Sequence, residues 1–278
     1  MSLEHHLIQQ SFDKAAKQYE QHAVLQKEAL VRLIERLGDD FMGDQQKAAP
    51  EHILDLGCGT GWAVPELLQL FPQAQIIAAD FAPSMVNEVP KHSQVETRIT
   101  DAHAIDVHAQ SLDLVFSNLM IQWCDEATVL QEIKRALKPG GLIHLTTMGE
   151  HTLHELKLAW QEIDDQPHVN EFVPAAKIAD LTMQLGFADV IADSEFITLT
   201  YANVIDMMRD LKNIGAHNVD NNRTKGLTSP KVIKQLTKNF EQFRIEDGLY
   251  PATYELVYLR AKKPGEDKGL PVRIKNNE

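Results

Sequence analysis

Three glycines at alternate positions, Gly57, Gly59 and Gly61, follow directly on the apolar run Ile53-Leu54-Asp55-Leu56 and precede Trp62. Residues of this type at this spacing let a short strand turn tightly into a helix. The backbone can pass close to a ligand, take positive φ without a Cβ clash, and aim helix-start N–H groups outward. That is chemistry for holding a nucleotide-like ligand at the carboxyl end of a parallel strand. A pyrophosphate is not expected. The dinucleotide fingerprint G-x-G-x-x-G would need its third glycine where Trp62 stands.

Polar residues recur at the ends of the apolar runs that follow. Ile76-Ile77-Ala78-Ala79 ends in Asp80, whose carboxylate can accept two hydrogen bonds from ribose hydroxyls or cap the next helix. The third run ends in Asp101, followed by Ala102, and the fourth in Ser117-Asn118, with the asparagine aimed into the same crevice. One acid after one strand means little. Acids after strands two and three, with a G-x-G-x-G turn after strand one, are a far more specific set.

The elements that must position these residues follow from periodicity. Strands are expected at 53–56, 75–79, 95–100, 112–117 and 142–147, with helices at 63–70, 83–88 and 127–137 and a turn at Lys138-Pro139-Gly140-Gly141. Such alternation implies a parallel sheet covered by helices. A helix near 174–185 stops at Gly186, a strand-like run covers 188–200, and Ala252 to Ala261 is the last strand. Ahead of this lies an arm, 1–50: apolar positions from Phe12 to Leu37 recur at helical spacing, and Gly38 to Pro50 reads as a loop. The main domain is then 51–262. Stretches 151–172 and 203–245 fall outside the alternation and are expected to form a helical cap over the carboxyl edge of the sheet. The tail 263–278, rich in charge, Pro and Gly, is expected to be disordered.

Composition narrows the classes. The chain has 278 residues, 44% apolar and 24% charged, enough for one large core. Its start lacks a basic segment and apolar run of the secretory kind, and no window approaches the roughly 20 apolar residues of a membrane span, so a cytoplasmic location is expected. The two cysteines, Cys58 and Cys124, suggest neither a bridge nor a metal cluster, and the 12 histidines, His151, His154 and His168 among them, show no ligand spacing. A net charge of −13 argues against a general nucleic-acid binder.

Taken together, the glycine turn and the polar strand ends resemble the S-adenosylmethionine-dependent methyltransferases with a Rossmann-like sheet, over about residues 50–150. The resemblance implies an α/β fold, mostly parallel with an antiparallel last strand. It places Asp55, Gly57, Gly59, Gly61 and Asn118 around the cofactor, Asp80 on the ribose, and Asp101 with Ala102 beside the adenine. Phe81 and Met85 would either touch the adenine face or simply pack the core.

Further segments widen the likeness to nearly the whole chain: Ser117-Asn118-Leu119-Met120-Ile121-Gln122-Trp123-Cys124, Thr146-Thr147, Phe172-Val173-Pro174, 208–216, Phe12 to Gln26, and Tyr250-Pro251-Ala252-Thr253-Tyr254. They are similar to the carboxyl O-methyltransferases of biotin synthesis. What that implies is methyl transfer from S-adenosylmethionine to the free carboxylate of a malonyl thioester on acyl carrier protein, an early step towards the pimeloyl chain. One departure is Leu249, where some relatives carry Arg. A carboxylic acid with a pKa near ~4 is already ionised at neutral pH, so no general base is nominated. A desolvated carboxylate needs a cation or several donors. Arg209, in a run apolar enough to face a core, is the first candidate, though pairing with a nearby acid fits it equally. Tyr19, Trp123 and Tyr254 are expected to line the channel and orient the malonyl arm, with plain core the alternative for Trp123.

Between Arg223 and Arg244 six basic residues stand against the single acid Glu241, reversing the overall charge. Lys231, Lys234 and Lys238 share one helical face, opposite Ile233, Leu236, Phe240 and Phe243. With Arg223 and Lys225, that face is the expected docking surface for an acidic carrier protein, or else a solvated face with no partner. Two rival readings remain at this stage: methylation of another small carboxylic acid on the same fold, and a binding protein that has lost transfer.

Overall fold

The computed structural model describes residues 24–42, 48–213 and 229–265. Seven strands form one sheet in the order β3-β2-β1-β4-β5-β7-β6. They are β1 (His52–Leu56), β2 (Gln75–Asp80), β3 (Val95–Ile99), β4 (Leu112–Asn118), β5 (Leu137–Met148), β6 (Ala188–Tyr201) and β7 (Tyr250–Lys262). β1 lies centrally, parallel to β2 and β4. β7 runs antiparallel between β5 and β6, as expected for the last strand. Helices α1 (Val24–Met42), α2 (Ala63–Leu70), α3 (Pro83–Val86), α4 (Glu126–Ala136), α5 (His154–Gln161), α6 (Ala175–Gln184), α7 (Val204–Asn213) and α8 (Pro230–Phe240) flank it.

Local sequence explains these elements. In α4 the apolar residues Val129, Leu130, Ile133 and Ala136 are buried at helical spacing, and Asp125 caps the start by accepting from the Thr128 N–H at 2.9 Å. Lys134 and Arg135 close its last turn, where a helix end carries partial negative charge. In α8 the Ser229 side chain caps a start fixed by Pro230.

Several boundaries differ from expectation. Helix α1 runs past Gly38 to Met42, because its last turn has partners: Phe41 packs edge-on against Phe71 at 5.0 Å, and Asp40 accepts from Arg260 Nε at 2.9 Å and sits 3.1 Å from His144 Nε2. The Lys138–Gly141 turn lies within β5, where the ladder to β4 is irregular between Leu112 and Leu114. The sheet also holds Lys263. Its N–H donates to the Gly141 carbonyl at 2.8 Å, and its carbonyl accepts from the Gly140 N–H at 2.9 Å. The rest of the expected tail, 266–278, lies outside the described residues.

One apolar layer joins α1, α2, α5, α8 and β7 through Leu33, Leu37, Leu67, Trp160, Phe240 and Leu256, and a second joins α4 and α6 to the opposite face. The stretches 151–172 and 203–245 contribute α5, α7 and α8, and Asn239 Nδ2 on α8 donates to the Ala159 carbonyl on α5 at 3.0 Å.

Candidate cofactor cleft

At the carboxyl end of β1 the chain turns through Gly57 at φ +76° and Gly59 at φ +54°. The N–H groups of Gly57 and Cys58 donate to the Ala79 carbonyl at 2.8 and 3.0 Å, which ties the turn to β2. The Gly59 N–H donates to Asp80 Oδ2 at 3.0 Å, and the Ala82 N–H donates to Oδ1 at 2.9 Å. Asp80 therefore ties the glycine turn to the segment that leads into α3.

A small cavity of about 40 Å³ opens beside this turn, lined by Gln26, Leu30, Asp55, Gly57, Gly59, Thr60, Trp62 and Asn118 among others. Asp55 is 1% exposed, and burial, then the charge of Asp80, pushes its carboxyl up to about 7. Asp55 Oδ2, Thr60 Oγ1 and Gln26 Oε1 are buried without a hydrogen-bond partner among the described residues. Three unpaired acceptors in one cleft call for a ligand rich in N–H donors and positive charge. The methionine arm of S-adenosylmethionine has that character, so the residues present fit the cofactor that the glycine turn suggested.

Asn118 lines the same cavity, but its carboxamide is engaged on both sides. Its Nδ2 donates to the Gln26 carbonyl at 3.0 Å, and its Oδ1 accepts from Thr146 Oγ1 at 2.7 Å. Asp101 Oδ1 accepts from the His103 N–H at 2.9 Å and meets His103 Nδ1 at 2.7 Å. The Asp125 N–H donates to His103 Nε2 at 3.0 Å, so the ring carries its proton on Nδ1 and orients the Asp101 carboxylate. Ala102 is buried next to it. Met85 is fully buried and packs with Ala82 and the partly exposed Phe81. Burial and the nearby charges of Asp55 and Asp80 push the Cys58 thiol up, leaving it protonated and unreactive.

On the substrate side the residues are more dispersed. Trp123, half-buried, belongs to a 3₁₀ turn, Ile121–Trp123, just past β4. Tyr254 is buried, and its hydroxyl engages Tyr201, which in turn donates to Asp210 Oδ2 at 2.9 Å; it braces β7 against β6 and α7. Of the two readings of Arg209, the structure shows the pairing with a nearby acid. Its side chain is 64% exposed and pairs with Asp206 Oδ1 at 2.6 Å, because the buried stripe of α7 is Val204, Met207 and Leu211. Lys231, Lys234 and Lys238 are all exposed on α8. Tyr19, Arg223 and Lys225 lie outside the described residues. Neither a group of three metal-binding side chains nor a helix long and apolar enough to cross a membrane occurs among the described residues. His168 stacks on Trp160 at 3.6 Å and bonds Asp164 at 2.8 Å.

Sequence reasoning did not single out Gln26 and Thr60, which line the cleft, or His103, which bonds Asp101. Gln26 had a usable signal: it is a polar residue set within the apolar stripe Leu25, Ala29, Leu30 and Leu33 of α1.

A family model described as "Methyltransferase domain" matches residues 53–141. The chain is 39% identical to the malonyl-[acyl-carrier protein] O-methyltransferase of Halorhodospira halophila, across 98% of its own length and 91% of that protein. It is 38% identical to the enzyme of the same name from Gallionella capsiferriformans, across 92% and 90%. In solved structures the fold recurs in a Bacillus halodurans C-125 protein at TM-score 0.58, with 18% identity and coverage of 85% of this chain and 99% of that one.

Proposed function

The chain belongs to the malonyl-[acyl-carrier protein] O-methyltransferase family, and on that premise we propose that it esterifies the free carboxylate of a malonyl thioester carried on acyl carrier protein. The observation that carries this reading is identity over nearly the full length of both chains, cap segments included, rather than over the cofactor half alone. It extends past the matched methyltransferase domain into the stretches that would meet substrate.

S-adenosylmethionine, when bound, supplies an electrophilic methyl group on a sulfonium, which the carboxylate oxygen takes as the carbon–sulfur bond breaks. The chain's part is to bind and align. Asp80 accepts from the ribose hydroxyls while its own position is set by the N–H groups of Gly59 and Ala82. Asp101, oriented by His103, and Ala102 serve the adenine. Asp55 and Thr60 present acceptors to the amino-acid arm. No base is required, since the nucleophile is an ionised acid of pKa ~4. Rate then comes from placing oxygen, carbon and sulfur in line and excluding water while opposite charges cancel. Trp123 stands at the end of β4 as a wall for the malonyl arm.

The carrier docks on α8. Lys231, Lys234 and Lys238 are exposed on it, while Leu236 and Phe240 are buried beneath, so a cationic face is offered to an acidic partner. Mass spectrometry of malonyl-carrier protein incubated with this protein and S-adenosylmethionine tests the reading. One methyl ester on the acyl arm is expected, and an unmodified arm rejects it.

A further inference from the structure

The three unpaired acceptors at the cleft do not all belong to the strand-and-turn unit. Asp55 Oδ2 and Thr60 Oγ1 come from β1 and the glycine turn, but Gln26 Oε1 comes from α1, outside the matched segment 53–141. Gln26 is 8% exposed, and its main-chain oxygen accepts from Asn118 Nδ2 at 3.0 Å. The backbone is thus latched to the carboxyl end of β4 while the side-chain oxygen is left over. Next to it, Lys27 Nζ lies 4.4 Å from the Trp62 ring centre, so α1 grips the far end of the glycine turn as well.

An isolated orphan acceptor is simply costly. Three of them in one cleft, one a carboxylate, make a pocket whose complement is a compact cation with several N–H donors, which is an α-ammonium. We propose that Gln26 is a cofactor-holding residue: its Oε1 accepts from the α-ammonium of the methionine arm beside Asp55 and Thr60, and α1 is a third wall of the cofactor site. The proposal rests on reading the ligand as S-adenosylmethionine. It carries a consequence for motion. A bound amino-acid arm holds α1 against β4, and an α1 held there strengthens retention of the arm, by reciprocal coupling.

Two ligands separate this role from a structural one. S-adenosylhomocysteine keeps the amino-acid arm, whereas 5′-methylthioadenosine has the same adenosine and sulfur without it. Calorimetric binding to the full chain is expected to show Gln26→Ala losing about tenfold or more for S-adenosylhomocysteine, the scale of one hydrogen bond to a charged group. Affinity for 5′-methylthioadenosine is expected to stay unchanged, which also reports an intact fold, and Gln26→Leu, closer in volume, should give the same split. In the unsubstituted protein, hydrogen exchange over 24–30 is expected to slow with S-adenosylhomocysteine and not with 5′-methylthioadenosine. Equal affinity of variant and parent for S-adenosylhomocysteine overturns the proposal, as does a parallel loss for both ligands. Failure of the unsubstituted protein to bind either ligand would instead overturn the cofactor reading, and this proposal with it.

Discussion

The Cβ that Gly57 lacks would lie 2.4 Å from Cγ of Met120, so the glycine turn after β1 and the segment after β4 are in direct contact through a missing side chain. A Cβ on Gly59, by contrast, would meet nothing within 4 Å. The two glycines therefore have separable duties. Gly57→Ala combines a positive φ with overpacking and is expected to destabilise by roughly 2–4 kcal/mol. Gly59→Ala bears the backbone cost alone, about 1–2 kcal/mol, but places a methyl at the open cleft. Thermal melts should rank Gly57→Ala as the less stable, and calorimetry should show Gly59→Ala losing S-adenosylhomocysteine affinity beyond what its stability explains. Equal melts would contradict the Met120 contact.

Asp55 makes the ligand-free protein pH-sensitive. Its folded value of about 7 lies above the ordinary 3.8, so between those limits the folded chain holds a proton that the unfolded chain has released. The stability contribution is full below pH 3.8 and is lost as pH rises through about 7. Asp55→Asn is expected to flatten that decline and to raise stability at pH 8 by on the order of 1–3 kcal/mol, while weakening cofactor binding. Melting midpoints of both proteins from pH 4 to 9 check it. Parallel curves would mean that Asp55 is ionised throughout.

Cofactor affinity carries the opposite slope. A cationic arm beside Asp55 favours the carboxylate, so binding should tighten as pH rises through about 7 and should release a proton below it. Calorimetry in buffers of different ionisation enthalpy measures that proton directly. Asp55→Asn should abolish the release.

Arg209 pairs with Asp206 in the open, and an exposed pair of this kind is worth about 0–1 kcal/mol. Arg209→Ala is expected to leave stability nearly unchanged and kcat/KM for malonyl-carrier protein within about threefold. A hundredfold loss in KM would show that α7 turns this guanidinium inward when substrate binds.

Charge reversal of Lys231, Lys234 and Lys238 together is expected to slow methylation of carrier-bound malonate tenfold or more at low salt and much less at high salt, since steering is screened. A small malonyl thioester should react at the parental rate. Unchanged carrier turnover with impaired thioester turnover would place the lysines elsewhere in the mechanism.

Much of the architecture was legible because its signals are local. Alternating strands and helices, the φ-permissive turn at Gly57 and Gly59, and an acid at the end of β2 each follow from short-range sterics and periodicity. The end of α1 was misjudged for the converse reason. Gly38 is a weak local stop, and the partners that carry the helix on to Met42, namely Phe71, His144 and Arg260, are distant in sequence. Arg209 admitted two readings, a substrate cation or a partner of a nearby acid, because a ten-residue amphipathic helix allows more than one buried face.

By itself the sequence determined an alternating α/β sheet and a nucleotide-type ligand without a pyrophosphate, since these depend on residue types and nearest-neighbour spacing, while the carboxylate chemistry came from the resemblance to a known family. Only the tertiary structure decided that Gln26 lines the same cleft as Asp55 and Thr60, that His103 orients Asp101, and that Arg209 faces water. Those outcomes turn on which buried polar atoms find partners across the fold, and the pairing energy of such atoms belongs to no single segment of chain.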